Sequence, residues 1–137
     1  MKVKIINFFI LIFFLIPQQP LTASTSVKVL DIESNELIKT IESSKNTDQE
    51  VECGIHSITG ITIQANPLPN NGYLIKIPLM ESLKVKNQWM NDIVSEVIVV
   101  YNPSTKQNRI IIYNDENSPV FFDTDYTFSK LMKELNL

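Results

Sequence analysis

The sequence has one cysteine, one histidine, one tryptophan, one arginine and three glycines among its 137 residues. A chain with a single cysteine, Cys53, forms no internal disulfide, so its stability must come from an apolar core. A single arginine, Arg109, supplies little bidentate recognition of phosphate groups. A single histidine, His56, would have to serve any Ser-His-Asp triad, and the sequence has no Gly-x-Ser-x-Gly motif to frame the serine. These shortages argue against disulfide-stabilised folds and against the commonest hydrolytic sites.

The N-terminal segment has lysines at positions 2 and 4 and continues as an apolar run from Ile5 to Ile16, broken only by Asn7. The run is too short to span a hydrocarbon core, which takes about 20 residues. Small residues follow at Leu21-Thr22-Ala23, and this order of basic, apolar and small residues is typical of a secretory signal peptide. We therefore predict a signal peptide over residues 1–23, cleaved after Ala23, and a secreted or cell-envelope protein. An uncleaved N-terminal anchor is the alternative.

The remaining residues, 24–137, have the length of a single globular domain. The whole chain has 12 basic and 15 acidic residues, and removal of Lys2 and Lys4 leaves 10 against 15, a net charge near −5. A mildly acidic surface disfavours nonspecific binding to nucleic acid and anionic lipid. This part of the chain contains no further apolar run long enough to span a membrane. Abundant isoleucine, asparagine and lysine favour an AT-rich bacterial genome, and the signal points to a Gram-positive one.

Apolar periodicity divides the first half of this domain into strands and one helix. The stretch TSVKVLDI alternates and predicts a first strand. The stretch SNELIKTIESSK has apolar residues at helical spacing behind Ser34, which predicts a helix over residues 34–45. The stretch QEVECGIH alternates again and predicts a half-buried strand, with a bend or second strand at ITGITI. The loop ANPLPNNG and the strand YLIKIPL follow.

The second half predicts a strand-rich segment that ends in a helix. Helical spacing predicts a short helix beginning near Asn87 or Asn91, and EVIVVY, apolar on both sides, predicts a strand near the sheet centre. The turn NPSTKQN joins it to RIIIY as a hairpin, and VFF forms a short strand. FSKLMKELNL is a closing helix, capped by Asp125 or Thr127. We predict an α+β fold: a small two-layer sandwich with a mostly antiparallel sheet of about five to six strands and two helices packed on one face.

The stretch CGIH, residues 53–56, holds the only cysteine and the only histidine. A thiolate–imidazole pair needs the two side chains within hydrogen-bond reach. Side chains alternate between the faces of a strand, so Cys53 and His56, three residues apart, would point to opposite faces. A zinc site needs about four ligands, and carboxylates would have to complete this one. We therefore predict neither a catalytic dyad nor a bound metal or cofactor at this stretch.

Four carboxylates surround the predicted turn in the stretch NDENSPVFFDTD: Asp115, Glu116, Asp123 and Asp125. Oxygen ligands of this kind suit a hard cation such as calcium, and paired carboxyl groups can also act as acid and base. The stretch lacks the spacing and the glycine of a helix–loop–helix calcium site. The alternative, a solvated turn, is the prediction that we favour.

Trp89 and Met90 form the main candidate for a contact with a partner, because Lys84 and Lys86 accompany them. Aromatic and methionine side chains carry much of the binding energy at protein interfaces. A tryptophan of this kind is more often part of the core, and a place for Trp89 in the core is the alternative.

Together these observations favour a small exported binding or interaction protein without enzymatic activity, with a protein or envelope partner rather than nucleic acid. Two alternatives remain. One is a hydrolase or lyase that uses carboxylates such as Asp115, Asp123 and Asp125. The other is a carrier of a small apolar ligand, which would need an internal cavity of a few hundred Å³.

Overall fold

The computed structural model describes residues 26–63, 66–105 and 107–137. These residues form seven strands and two helices, so the fold is α+β and has more strands than expected. The strands are β1 Ser26–Asp31, β2 Glu36–Glu42, β3 Ile58–Ile61, β4 Tyr73–Lys86, β5 Asn91–Tyr101, β6 Asn108–Tyr113 and β7 Pro119–Thr124, and the helices are α1 Lys45–His56 and α2 Ser129–Leu135. The predicted signal peptide, residues 1–23, lies outside the described residues.

The strands form one antiparallel sheet in the order β2-β1-β4-β5-β6-β7-β3. The expectation that EVIVVY lies near the centre is confirmed, because β5 is the fourth of the seven strands. Helix α1 joins β2, at one edge of the sheet, to β3, at the other edge. The chain therefore crosses the whole width of the sheet between Glu42 and Ile58. The segment from β3 to β4 brings the chain back towards the centre.

Apolar side chains are buried on both faces of the sheet. One cluster joins α1, through Val51 and Ile55, and α2, through Leu131, to strand residues such as Ile110. The second cluster lies on the opposite face, where the loop residue Leu68 packs against strand residues, among them Leu30, Leu74, Ile98, Val100 and Ile111. Burial on both faces explains the nearly continuous apolar runs of β5 and β6.

The prediction of a helix over residues 34–45 is wrong. This segment contains β2, which pairs antiparallel with β1. The turn between the two strands depends on Asn35, which has a left-handed φ of 60°, and on Asp31, whose carboxylate accepts the Glu33 N–H at 3.0 Å. Asparagine and aspartate stabilise turns in this way, so the chain reverses into a hairpin before a helix can begin.

The prediction of a strand over QEVECGIH is also wrong, because this stretch lies in α1. The helix begins with a capping box: the Ser44 hydroxyl accepts the Thr47 N–H at 3.2 Å, and the Thr47 hydroxyl accepts the Ser44 N–H at 2.9 Å. Val51 and Ile55 are one helical turn apart and both enter the core. Apolar residues at positions 51 and 55 fit both the alternation of a strand and the spacing of a helix. The capping box favours the helix.

The C-terminal elements are confirmed as a β5–β6 hairpin, the short strand β7 and the closing helix α2. The predicted helix near Asn87 or Asn91 is wrong, because β4 continues to Lys86 and a tight turn leads directly into β5. β4 and β5 thus form one long hairpin that extends beyond its neighbours in the sheet.

The start of α2 also differs from its prediction. Neither Asp125 nor Thr127 caps the helix; its N-cap is Phe128, with a left-handed φ of 53° and no side-chain cap. The Glu50 carboxylate of α1 instead accepts the Leu131 N–H at 2.8 Å. A carboxylate from one helix therefore accepts a hydrogen bond from a free backbone N–H in the first turn of the other. Only the tertiary fold creates this pairing.

Candidate functional site

The outer part of the β4–β5 hairpin forms an arm, defined as Leu79–Lys86 of β4 and Asn91–Glu96 of β5. The arm begins at a bulge: Pro78 pairs with Glu96, but the next paired residues are Leu83 and Val94. The extra residues on β4 interrupt its regular pairing with β5, and bulges of this kind generally increase the local twist.

Among the described residues, both long edges of the arm lack a neighbouring strand. β1 pairs with β4 only along its first residues, Tyr73–Lys76, and β6 pairs with β5 only at Ile98–Tyr101. The arm is therefore a two-stranded ribbon whose outer backbone groups face away from the sheet. Such edges are the places where an extended chain can add as a further strand.

The hydrogen-bond register shows which backbone groups are turned outward. At the hairpin turn the Asn87 N–H donates to the Met90 carbonyl at 2.9 Å. Paired residues in an antiparallel ladder alternate between bonded and non-bonded pairs. Lys86 with Asn91 is thus a non-bonded pair, and so is Lys84 with Ile93. The N–H and C=O groups of Lys84 and Lys86 consequently point away from β5, towards the open edge of β4.

Helix α1 holds the base of the arm. The Asp48 carboxylate accepts the Met80 N–H at 3.0 Å and the Glu81 N–H at 3.2 Å. The Ser43 hydroxyl donates to the Pro78 carbonyl at 3.1 Å. These bonds occupy the backbone groups at the bulge, so the open part of the β4 edge starts at Ser82.

A groove runs between α1 and the β4 side of the arm, and we call it the α1–β4 groove. Its first part is a cavity of about 420 Å³ between the first two turns of α1 and residues 79–83. Its second part, of about 300 Å³, lies between the end of α1 and residues 83–87, with Trp89 as one wall. Leu83 lines both parts, so the two cavities adjoin at this residue.

The two parts of the groove differ in charge. The first is lined by three carboxylates and one lysine: Asp48, Glu52, Glu81 and Lys45. The second has Lys84, Lys86 and His56 among its described lining residues and no carboxylate, and its remaining walls are largely apolar. A cationic and apolar site on a chain of net charge −3 is a local reversal of the protein's overall charge.

Trp89 and Met90 are half-buried and pack against the core cluster. The side-chain oxygen of Asn87 accepts their backbone N–H groups at 2.9 and 3.0 Å, which fixes the tip of the arm. Trp89 therefore packs against the core and also forms a wall of the groove. Its place in the core and its availability for a contact with a partner are compatible. The largest exposed apolar groups on the arm are Met80 and Ile93, at 59% and 73% exposure.

Cys53 and His56 both lie on α1 and are both exposed. The expectation that they point to opposite faces is wrong, because residues three apart on a helix are neighbours. His56 lines the second part of the groove, whereas Cys53 is near the hydroxyl of Tyr126. The structure thus assigns the two residues to different surroundings.

The four carboxylates of the stretch NDENSPVFFDTD are held separately. Asp123 accepts a hydrogen bond from Arg109 at 3.2 Å and from the Thr62 hydroxyl at 2.9 Å. Asp115 lies beside Asp92 of β5, and loss of hydration together with the charge of Asp115 raises the pKa of Asp92. Glu116 and Asp125 are exposed on the surface, and no three His, Cys, Asp or Glu side chains within the described ranges are grouped as metal ligands.

Two tyrosines have raised pKa values for different reasons. The hydrogen bond between Tyr126 and the Glu50 carboxylate is the largest cause of the raised pKa of Tyr126. Burial, followed by the charge of Glu96, raises the pKa of Tyr113 to about 12. The Tyr113 hydroxyl is buried and has no hydrogen-bond partner in the part of the chain that the structure describes. Both tyrosines lie outside the α1–β4 groove and belong to the packing of the fold.

No protein family, curated protein or solved structure matches this chain. None of the described helices is long and apolar enough to cross a membrane. The sequence indicated Trp89, Met90 and the two lysines, but it did not indicate Asp48 or a role for His56.

Proposed function

We propose that the protein is a non-enzymatic binding protein that holds an extended segment of another polypeptide along the open edge of β4. The observation that carries this proposal is the outward direction of the Lys84 and Lys86 backbone groups beside the second part of the α1–β4 groove. In strand addition, main-chain hydrogen bonds supply affinity, and pockets for alternate side chains supply specificity. The arm offers both features side by side.

The arm is also anchored in a way that suits binding. Asp48 ties its base to α1, and the Asn87 side chain fixes its tip. A preorganised edge loses little conformational entropy when a partner binds, which leaves more of the interaction energy as affinity. A partner strand would therefore meet a receptor that is already in its bound shape.

A proline placed at one outward position tests this proposal. In the variant Lys84→Pro, the lost N–H is one that β5 does not use, so the hairpin is expected to persist while strand addition is blocked. Ile93→Pro is the matched control, because Ile93 is the cross-strand partner of Lys84 and its N–H points to the opposite edge. Peptides of about ten residues, the upper length of typical strands, are selected from a random display library against the unmodified protein.

We expect the selected peptides to bind Lys84→Pro at least about tenfold more weakly, a loss of roughly 1.4 kcal/mol, and to bind Ile93→Pro normally. Circular dichroism checks that both variants are folded. Selection of no peptide, or equal binding to both proline variants, would refute strand addition at β4.

We further propose that the protein is exported from a bacterial cell and acts outside it or in the envelope. The support is the order of basic, apolar and small residues over 1–23. The intact mass of the protein from medium and envelope fractions tests this. A species beginning at Ser24 is expected, whereas a full-length species held in the membrane would show that the segment is an anchor.

The alternatives of hydrolase and apolar carrier have less support. Arg109 engages Asp123, and Asp115 lies beside Asp92 of β5. The first part of the groove is lined by charged side chains, which suits a polypeptide better than an apolar small molecule. These contacts favour a binding function.

A further inference from the structure

We infer that the polypeptide bound at the β4 edge is acidic, with carboxylate side chains alternating with apolar ones. This inference rests on the proposed function and specifies the partner. It follows from the two faces that the arm presents to an added strand, because successive side chains of a strand point to opposite faces.

The first face is cationic. Lys84 and Lys86 are two residues apart and share one face of β4, and both are exposed. Their cross-strand neighbours on β5, Ile93 and Asn91, carry no charge. No ion pair involves either lysine within residues 26–63, 66–105 and 107–137. An added strand would bring its own side chains next to both lysines, and directly opposed charges of opposite sign stabilise such a pair.

The second face is apolar. Leu83 and Val85 alternate with the two lysines and belong to the core cluster or pack against it. Beside them the second part of the groove, of about 300 Å³, is walled by the apolar residues Ile55, Ile58 and Trp89, with His56 as the ionisable side chain that α1 contributes. The side chains of an added strand that point to this face would enter the groove, where apolar groups are favoured because they leave water. Alternation of acidic and apolar residues is thus the pattern that satisfies both faces at once.

The same lysines make the edge selective. Lysine on an edge strand discourages indiscriminate strand pairing, because the charge must be neutralised before another chain can dock. An acidic strand supplies that neutralisation, whereas a basic or uncharged strand does not. Discrimination then arises from repulsion of the wrong partner as well as attraction of the right one.

Three synthetic peptides of about ten residues, the length of a typical long strand, test the inference. One alternates glutamate and valine, one alternates lysine and valine, and one has the composition of the first with its glutamates and valines in separate blocks. Trp89, the only tryptophan of the chain, lines the groove, so its fluorescence reports binding. We expect the alternating acidic peptide to bind at least about tenfold more tightly than the other two, since each opposed charge pair contributes up to about 1 kcal/mol.

Charge reversal at the edge gives the second arm of the test. The double variant Lys84→Glu/Lys86→Glu is expected to bind the acidic peptide about tenfold more weakly and to gain affinity for the basic one. Lys130→Glu/Lys133→Glu is the control, because it makes the same change of net charge at two exposed positions on α2. Equal weakening by both double variants would show a long-range charge effect and would overturn the inference.

The outcomes separate the inference from the proposed function. If all three peptides bind equally and Lys84→Pro still abolishes binding, the acidic partner is wrong and strand addition stands. If the library yields no peptide and none of the three synthetic peptides binds, both fail. Preference for the basic peptide would also overturn the inference, because it contradicts the charge of Lys84 and Lys86.

Discussion

The inner sheet and the arm are parts of the same two long strands, yet they are stabilised differently. In the inner sheet, defined as β1, β6, β7 and the parts of β4 and β5 up to Ile77 and from Val97, apolar residues are buried on both faces. Beyond the Pro78 bulge the same strands have open edges among the described residues, and Met80 and Ile93 are mostly exposed. The inner sheet is stabilised by burial on both faces, whereas the arm buries residues such as Val85 and Val94 on one face only and is held in addition by a few polar anchors.

This difference shows where the molecule can tolerate exposed backbone groups. A strand within the sheet has all its hydrogen bonds satisfied by its neighbours and has no capacity for a partner. The arm keeps unpaired backbone N–H and C=O groups beside a groove. Such an edge promotes aggregation unless charged side chains discourage pairing with other chains. Lys84 and Lys86 supply these charges. The variants below should disturb one region and spare the other.

The largest effect is expected from Phe128→Ala in the inner core. Phe128 is completely buried and packs edge-on against Tyr126, with ring centroids 4.9 Å apart. Truncation of such a side chain costs roughly 3–5 kcal/mol of unfolding free energy, because it leaves a cavity. Urea denaturation measures the loss, and Thr127→Ala, at an exposed neighbouring position, is the control. A loss below about 1 kcal/mol would show that the two helices are not anchored through this residue.

The next largest loss of stability is expected from Gly54→Ala. A Cβ at Gly54 would lie 2.4 Å from Cζ and 2.8 Å from Cε1 of Phe128, so one ring or helix must move. Overpacking of this kind costs about 1–3 kcal/mol, which exceeds the gain of roughly 0.5–1 kcal/mol from replacing a helical glycine. Gly60→Ala is the matched control, because nothing lies within 4 Å of its Cβ position. Equal stability of the two variants in urea would contradict the close packing of α1 on Phe128.

Asp48→Ala should loosen the arm and leave the inner sheet intact. It removes the acceptor for the Met80 and Glu81 N–H groups, at a cost of about 1 kcal/mol. We expect faster exchange of the Leu83 and Val85 amides and a red shift of Trp89 fluorescence, with exchange in β6 unchanged. Gln49→Ala, an exposed neighbour on α1, serves as the control. Uniform loss of protection in both regions would mean that the arm is not a separate unit.

Tyr113→Phe is expected to have the smallest effect at neutral pH, between zero and about 1 kcal/mol of stabilisation, because it removes a buried hydroxyl without a described partner. Its pH dependence is more informative. The pKa of Tyr113 is raised to about 12, so the neutral phenol is favoured in the folded state. This contribution is complete below the unfolded value near 10 and is lost as the pH rises towards 12.

The unmodified protein should therefore lose stability over this pH range more steeply than Tyr113→Phe. Tyr126, whose pKa is also raised, is present in both proteins and cancels in the difference. Parallel curves of unfolding free energy against pH would contradict the burial of the Tyr113 hydroxyl.

Periodicity predicted the parts of the fold in which burial decides the structure. β1 and the β5–β6 hairpin follow their apolar pattern, and so does α2. Periodicity failed where the apolar residues fit both helix and strand spacing, or where the element has no buried face. Leu37 and Ile38 are spaced as in a helix but are each 44% exposed on β2, so their spacing carried no structural information.

The candidate site could be predicted only in part. Trp89, Lys84 and Lys86 are close together in the sequence, and their grouping was visible there. The open edge was not, because it depends on where β1 stops pairing with β4 and on the bulge after Pro78. The place of Asp48 and His56 beside the arm follows from the path of α1 across the sheet, a long-range property that no local pattern contains.

The most direct test of the open edge is amide hydrogen exchange, resolved residue by residue by NMR, along the β4 side of the arm. We expect an alternating pattern in the free protein. The amides of Leu83 and Val85, which bond to β5, should exchange slowly, and those of Lys84 and Lys86 should exchange quickly. Addition of the alternating acidic peptide should then protect Lys84 and Lys86. Equal protection of all four amides in the free protein would show that the β4 edge is already occupied, and would contradict the account.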